Sequence, residues 1–133
     1  MVLVDTNILA YLMIDGDRTA AAQRLFERDA YWCSEAFVMA EFSNVIATYV
    51  RTRALTQAQG TQILSEAQII LPTLHNIAHV QALETAMRYA ISAYDARFIS
   101  LAAHLKLKLV TEDAKLRAAV PSWTLSLADA LAR

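Results

Sequence analysis

Four acidic residues of this 133-residue chain stand where carboxylates can do chemistry: Asp5, Glu41, Asp95 and Asp113. A set of carboxylate oxygens suits Mg²⁺ or Mn²⁺, whereas zinc is more often bound through nitrogen and sulfur. Carboxylates that gather at one place need a compensating cation, because neighbouring like charges disfavour ionisation. A shared site for a divalent cation is therefore the first hypothesis for these residues.

Three of the four acids also have a purely structural explanation. Asp5 can cap the helix that follows it, and Asp95 stands three residues after Ser92, the spacing of a capping box. Asp113 lies in the first turn of a short helix that Thr111 is expected to cap, where the helix dipole favours an anion. Taken singly, each of these three acids is more readily explained as structural than as a ligand.

Glu41 lacks such an explanation because it is predicted in the middle of a helix. It stands three residues after Val38 and four before Val45, on the apolar stripe or at its border. A carboxylate there is desolvated, and a helix interior offers it no free N–H group. Glu41 therefore needs a cation, a hydrogen-bonding partner or water, and a shared metal ion would meet that need.

The hydrophobic pattern predicts the elements that must position these acids. Short apolar runs predict strands over 2–4, 31–33, 69–72, 107–110 and 123–125. Helical spacing predicts helices beginning near residue 8 and over 18–28, 34 to about 49 or 51, 56–68, 77–90, 93–105, 112–119 and 127–132. This alternation predicts an α/β fold with a mainly parallel central sheet flanked by helices in three layers. If the strands before Asp5 and Asp113 are parallel neighbours, the acids meet at one sheet edge.

Length and composition limit the class of protein. The length predicts a single domain over 1–133, and no apolar run approaches the roughly 18 residues of a membrane span. Cys33 is the only cysteine and is expected to be a small buried hydrophobe in a cytoplasmic protein. The net charge of −1 offers no general attraction to nucleic acid, so such contacts would need local basic patches. Two glycines cannot form a phosphate-binding glycine loop.

Other candidates for chemistry are weaker. His75 and His79 are four residues apart but have no glutamate at the second position of that spacing, and we interpret them and His104 as structural or exposed. No serine or cysteine lies in a recognisable nucleophile motif with a histidine and an acid. Three polar residues could hydrogen-bond to Asp5 or to a metal-bound water: Thr6, Asn7 and Thr111.

Four segments, taken in order, resemble the PIN-domain ribonucleases. They are Val-Asp5-Thr-Asn-Ile-Leu, Met-Ala-Glu41-Phe, Tyr-Asp95-Ala-Arg-Phe-Ile-Ser-Leu-Ala and Leu-Val-Thr-Glu-Asp113. Their spacing and the chain length resemble the VapC toxin branch of toxin–antitoxin pairs. One departure is Lys106, where the family often has glycine before the strand; it affects a turn and leaves the acidic set intact.

The resemblance implies an Mg²⁺- or Mn²⁺-dependent endoribonuclease toxin in which Asp5, Glu41, Asp95 and Asp113 hold one or two metal ions. Water, rather than the RNA 2′-hydroxyl, would attack the phosphodiester. Basic residues close to these acids in the sequence are candidate RNA contacts, each with a solvated charged surface as the alternative: Arg97, Lys115 and Arg117, with Arg51 and Arg53 farther off.

The resemblance also implies partners. A cognate antitoxin is expected to cover apolar surface on the helices between Ser34 and Gln68 and to place an Arg or Lys in the acidic pocket. A homodimer is expected as well. Two other classes remain open: a catalytically weak metal-binding or interaction module of the same fold, and a phosphate-handling receiver or aspartyl phosphatase. The last of these would need a second acid beside or two positions after Asp5, where Thr6 and Asn7 stand.

Overall fold

The computed structural model describes residues 1–133 and contains one five-stranded sheet in which every neighbouring pair of strands is parallel. The strands lie in the order β3-β2-β1-β4-β5, with β1 in the centre. Their bounds are β1 Val2–Val4, β2 Trp32–Glu35, β3 Thr73–His75, β4 Leu109–Val110 and β5 Thr124–Leu125. The predicted α/β fold with a parallel sheet is confirmed.

Eight helices flank the sheet. They are α1 Thr6–Met13, α2 Thr19–Arg28, α3 Phe37–Arg51, α4 Gln57–Ile70, α5 His79–Tyr89, α6 Ala93–Leu105, α7 Ala114–Ala119 and α8 Leu127–Ala132, with a 3₁₀ turn over Pro121–Trp123. No helix combines the length and the apolar character needed to cross a membrane.

The core forms where the sheet meets these helices. Leu3 and Val4 of the central strand are fully buried, as the apolar run predicted. Trp32 of β2 is fully buried and packs edge-to-face against Phe26, with ring centroids 5.4 Å apart. Cys33 is also fully buried, which confirms the prediction that it is a core residue.

The start of α3 differs from the sequence prediction. Ser34 was expected to cap this helix, but it lies inside β2, and its Oγ donates a hydrogen bond to the carbonyl of Val4 at 2.6 Å. The hydroxyl is buried and finds its acceptor on the neighbouring strand, so it can stay in the sheet interior. The strand therefore extends to Glu35, and α3 begins at Phe37 without a side-chain cap.

The strand predicted over 69–72 is also wrong. Ile69 and Ile70 form the last turn of α4, and the N–H of Leu71 donates to the carbonyl of Ala67. The capping box between Thr56 and Gln59 fixes the start of this helix, and tertiary packing of its buried Ala67 outweighs the β propensity of the isoleucines. Pro72 ends a helix rather than a strand, and β3 begins at the next residue.

Candidate active site

All four predicted acids line one cavity of about 480 Å³ at the carboxyl edge of the sheet. Asp5 directly follows β1, and Asp113 lies three residues after β4, the parallel neighbour of β1. Glu41 comes from α3, which follows β2, and Asp95 comes from the first turn of α6. Strand ends and helices thus bring together four carboxylates that are far apart in the sequence.

Asp5 serves as both helix cap and cavity residue. Its backbone is extended, and its Oδ1 accepts a hydrogen bond from the N–H of Ile8 at 3.1 Å, so it is the N-cap of α1. Its side chain also lines the cavity. The capping interpretation and the ligand interpretation, which the sequence analysis set against each other, therefore do not exclude one another.

Glu41 finds a partner in Thr6. The Thr6 hydroxyl donates to Glu41 Oε1 at 2.7 Å, and Thr6 itself is buried, while Glu41 is half-buried. This contact joins the first turn of α1 to the middle of α3, so the two helices hold the carboxylate at the cavity wall. It supplies the hydrogen-bonding partner that a carboxylate in a helix interior requires.

Asp95 and Asp113 both lie at helix N-termini, Asp95 held through its backbone N–H and Asp113 through its side chain. The Asp95 N–H donates to Ser92 Oγ at 3.0 Å, so Ser92 caps α6 as predicted. Asp113, rather than Thr111, caps α7, because its Oδ1 accepts from the N–H of Leu116 at 3.1 Å. Thr111 was expected to be the cap, but it is buried, and its Oγ1 instead accepts from the N–H of Asp113 at 3.1 Å.

Burial and mutual repulsion raise the pKa of three of these carboxyls. Burial is the main cause for Asp5, whose pKa rises to about 6; the charges of Glu41 and Asp113 add to it, and hydrogen bonds from Thr111 and Ile8 oppose it. The pKa of Glu41 is raised by burial and then by the charge of Asp95, and Thr6 opposes the rise. The pKa of Asp95 is raised by burial and by Asp113. Anionic forms at this cavity are therefore disfavoured unless a cation is near.

The chemistry of this donor set fits a hard divalent cation, because every candidate donor is an oxygen atom. The carboxylates are farther apart than the ligands of a bound metal ion. No three acidic, histidine or cysteine side chains converge closely enough to hold a metal ion between them. The fit to Mg²⁺ or Mn²⁺ thus concerns the donor type and the electrostatics of the cavity.

The predicted supporting residues divide into two groups. Thr6 and Asn7 line the cavity, and Thr111 lies behind it, where its hydroxyl acts on Asp5 and Asp113. Asn44, which the sequence analysis missed, also lines the cavity, one turn after Glu41. A polar residue at that helical spacing from Glu41 was the signal that could have identified it.

The predicted basic residues do not line the cavity. Lys115 is exposed on α7, and Arg117 is held by the Thr111 carbonyl and by Glu112 at 2.9 and 3.1 Å. Arg97 forms an ion pair with Glu35 at 2.6 Å, with side-chain exposures of 12% and 1%. The Arg97 guanidinium is thus engaged inside the protein, which argues against the expected contact with the RNA backbone.

Glu35 is the charged residue that the sequence analysis overlooked. Glu35 is the last residue of β2, in the same way that Asp5 directly follows β1. An acidic residue at the end of a strand was therefore the signal that could have identified Glu35 from the sequence. Its Oε1 also accepts from the N–H of Phe37 at 3.3 Å, and its charge contributes to the raised pKa of Glu41. Glu35 therefore belongs to the same electrostatic neighbourhood as the cavity, although Arg97 compensates it.

Comparison with known proteins gives one family and one fold. A sequence model of the family described as PIN domain matches residues 2–120. The crystal structure of PAE2754 from Pyrobaculum aerophilum superimposes with a TM-score of 0.81 at 20% sequence identity, covering 99% of this chain and 93% of that one. At this identity the likeness establishes the fold alone. No curated protein matches the chain.

Proposed function

This chain belongs to the PIN-domain family, and we propose that it is an Mg²⁺- or Mn²⁺-dependent endoribonuclease that hydrolyses RNA phosphodiester bonds. Members of the family are generally metal-dependent nucleases. The observation that carries the proposal is the convergence of Asp5, Glu41, Asp95 and Asp113 on one cavity. Glu41 carries particular weight because it caps no helix, so its position on the cavity wall has no capping explanation.

The protein's contribution to this reaction is to place four carboxylates around one cavity before substrate arrives. A divalent cation, when bound, would supply an activated water and charge stabilisation at the phosphate. Asp5 and Asp113 are oriented by the N–H groups of Ile8 and Leu116, and Glu41 by the Thr6 hydroxyl. Oriented carboxylates avoid part of the ordering cost of assembling the site.

A catalytically weak interaction module of the same fold is the second candidate. It is favoured by the finding that no three of the acids converge closely enough to share a metal ion. The two candidates differ in whether the cavity turns over RNA, so a cleavage assay separates them.

The test compares Asp95→Asn with Asp129→Asn on unstructured RNA, with Mg²⁺ and with EDTA. The two aspartates are matched: each stands three residues after a serine cap whose Oγ accepts its N–H at 3.0 Å, but only Asp95 lines the cavity. We expect EDTA and Asp95→Asn to abolish cleavage and Asp129→Asn to preserve it. Cleavage by Asp95→Asn at the parental rate would refute the proposed site.

We further propose that the protein is a toxin restrained by a cognate antitoxin that binds the α3–α4 hairpin. The two helices border an apolar groove of about 330 Å³ whose lining includes Val50 and Leu64. Val38 and Phe42 are fully buried in the core and are not available to a partner, so the predicted apolar stripe is narrower than expected. Expression should arrest growth, and co-expression with the gene that neighbours this one, the expected source of the antitoxin, should relieve the arrest. Growth of cells expressing the parent alone would contradict the toxin role.

A homodimer is proposed on the exposed face of α5. Val80, Leu83 and Met87 lie at helical spacing and are 68%, 55% and 70% exposed, which is a large apolar area for one short helix. Light scattering should find a dimer for the parent and a monomer for Leu83→Glu. A monomeric parent at micromolar concentration would contradict this proposal.

A further inference from the structure

A second cavity of about 400 Å³ lies beside the carboxylate cavity, and we propose that it binds an unpaired nucleobase next to the scissile phosphate. We call it the side pocket; it is lined by Glu35, Phe37, Asn76, His79, Tyr94 and Arg97, together with Ala82 and Ala93. This inference rests on the proposed ribonuclease function and adds a recognition site to it. Its volume lies within the range of ordinary ligand pockets.

Phe37 joins the two cavities because its side chain lines both. Its ring is stacked on the ring of Tyr94, with centroids 5.2 Å apart and planes within 9° of parallel. Tyr94 directly precedes Asp95, which lines the carboxylate cavity. A nucleotide whose phosphate reaches the carboxylates can therefore place a neighbouring base against this pair of rings.

The exposed ring of Tyr94 can stack against a base. Tyr94 is 63% exposed, although burial of a large aromatic ring would stabilise the folded protein. Proteins that bind single-stranded nucleic acid commonly use such rings, because every base has a flat face that can stack. Further stacking by a base would cover the part of the ring that solvent now contacts.

The charges of the side pocket favour a base over a phosphate. Its one cation, Arg97, is compensated by the buried carboxylate of Glu35 at 2.6 Å. A phosphate would need an uncompensated cation, whereas a neutral base needs apolar faces and hydrogen-bonding groups. The alanine and aromatic side chains supply the apolar surface.

Two polar groups can select the base by its edge. The Arg97 guanidinium donates to Asn76 Oδ1 at 3.2 Å, and the N–H groups of the Asn76 amide therefore remain as donors. The guanidinium also lies 3.2 Å from Nδ1 of His79. If His79 accepts at Nδ1, its Nε2 carries the proton and is also a donor. The groups that remain for a base are therefore donors, which suit bases with a carbonyl oxygen, namely guanine, uracil and cytosine, better than adenine, which has none.

The first experiment measures KM and kcat on short unstructured oligoribonucleotides for Tyr94→Ala, with Tyr94→Phe as the variant that keeps the ring. Tyr31→Ala is the matched control, because Tyr31 is an exposed tyrosine that precedes β2, at the opposite edge of the sheet. We expect Tyr94→Ala to raise KM by roughly 5- to 150-fold, the loss of one base stack, with little change in kcat. We expect Tyr94→Phe to retain most of the affinity and Tyr31→Ala to match the parent.

The second experiment removes the base instead of the ring. An oligoribonucleotide with an abasic residue beside the cut should bind the parent and Tyr94→Ala equally, and His79→Ala should weaken the preference for bases with a carbonyl oxygen over adenine. If Tyr94→Ala lost the same affinity for intact and for abasic RNA, or lost none for intact RNA, the proposed role of the side pocket would be wrong. Fluorescence anisotropy in the Asp5→Asn background gives the same comparison without cleavage. If the parent cleaves no RNA, the ribonuclease proposal fails, while this binding comparison still decides the side pocket.

Discussion

Thr6 and Glu41 form a hydrogen bond of 2.7 Å between two helices that the sequence separates by a whole strand and helix. The Thr6 hydroxyl lowers the pKa of Glu41 and thus favours its charged form, against burial and the charges of Asp95 and Glu35. The bond is consequently one of the few interactions that oppose the rise in the pKa of the acids at this cavity.

Thr6→Val should therefore destabilise the protein. Valine keeps the shape of threonine but leaves the Glu41 carboxylate without its donor, so we expect a loss of about 1 kcal/mol at pH 7. The loss should shrink at pH 4, where Glu41 is increasingly protonated. Urea unfolding at both pH values measures this, and Thr6→Ser, which keeps the hydroxyl, is the control. Equal losses at both pH values would contradict the role of the hydrogen bond.

Asp5→Asn should stabilise the metal-free protein, and the gain should grow with pH. Because the pKa of Asp5 is about 6 in the folded protein and 3.8 ordinarily, the folded state binds more protons in that interval. As pH rises from about 4 to 6, Asp5 thus lowers the free energy of unfolding of the parent protein by up to about 3 kcal/mol. Asparagine can still cap α1. Chemical unfolding in EDTA between pH 4 and 7 tests this, and a constant difference between variant and parent would refute it.

Arg97→Met should be strongly destabilising. It leaves the Glu35 carboxylate buried without a charged partner, which typically costs about 3–5 kcal/mol. The double variant Arg97→Met, Glu35→Gln should recover much of the loss, because glutamine carries no charge and its oxygen can still accept from Phe37. Arg88→Met on the exposed surface of α5 is the control and should be nearly neutral. Thermal or urea unfolding measures all three, and a mild loss for the single variant would contradict the dependence of Glu35 on Arg97.

Gly60→Ala and Gly16→Ala should have opposite effects. A Cβ at Gly60 would lie 2.8 Å from a methyl group of Ile46 and 3.2 Å from one of Val50, so α3 and α4 would have to move apart. Overpacking costs about 1–3 kcal/mol, which outweighs the gain of about 1 kcal/mol in helix propensity. A Cβ at Gly16 meets nothing within 4 Å, and that substitution should be neutral or slightly stabilising. Comparing their unfolding midpoints tests the closeness of the two helices.

Lys106→Gly should stabilise the protein. Lys106 ends α6 with φ 56° and ψ 39°, the left-handed conformation that glycine adopts without strain. The gain should be about 1 kcal/mol, since a residue with a Cβ is strained there by roughly that amount. Lys108→Gly, two residues later and outside this conformation, controls for the lost charge. A gain for both variants would point to charge rather than backbone strain.

The sequence predicted the acids of the cavity because a parallel sheet places all of its strand ends at one edge. Asp5 and Glu41 could be recognised locally, one after an apolar run and the other as an acid on an apolar stripe. These two features depend on neighbours in the chain and on the geometry of one common layout. The hydrogen bond between Thr6 and Glu41 does not, and Thr6 was expected instead to bond to Asp5 or to a metal-bound water.

Other features depend on contacts that no local pattern contains. Ser34 resembles a helix cap until its acceptor on β1 is known, and Arg97 resembles a free cation until Glu35 is found beside it. The apolar run after Gln68 reads as a strand because its residues favour β structure, yet the helix that includes Ala67 continues through it. In each case tertiary packing outweighed local preference.

The central position of β1 governs when the carboxylate cavity can form. Val4 pairs with Val110, so the first strand remains unpaired on one side until a segment near the other end of the sequence has been synthesised. Asp113 follows that segment and completes the set of four acids. A nascent chain on the ribosome thus carries Asp5, Glu41 and Asp95 well before it can close the cavity. If the proposed ribonuclease activity requires all four acids, the order of strands keeps that activity from forming while the chain is still attached to the machine that translates RNA.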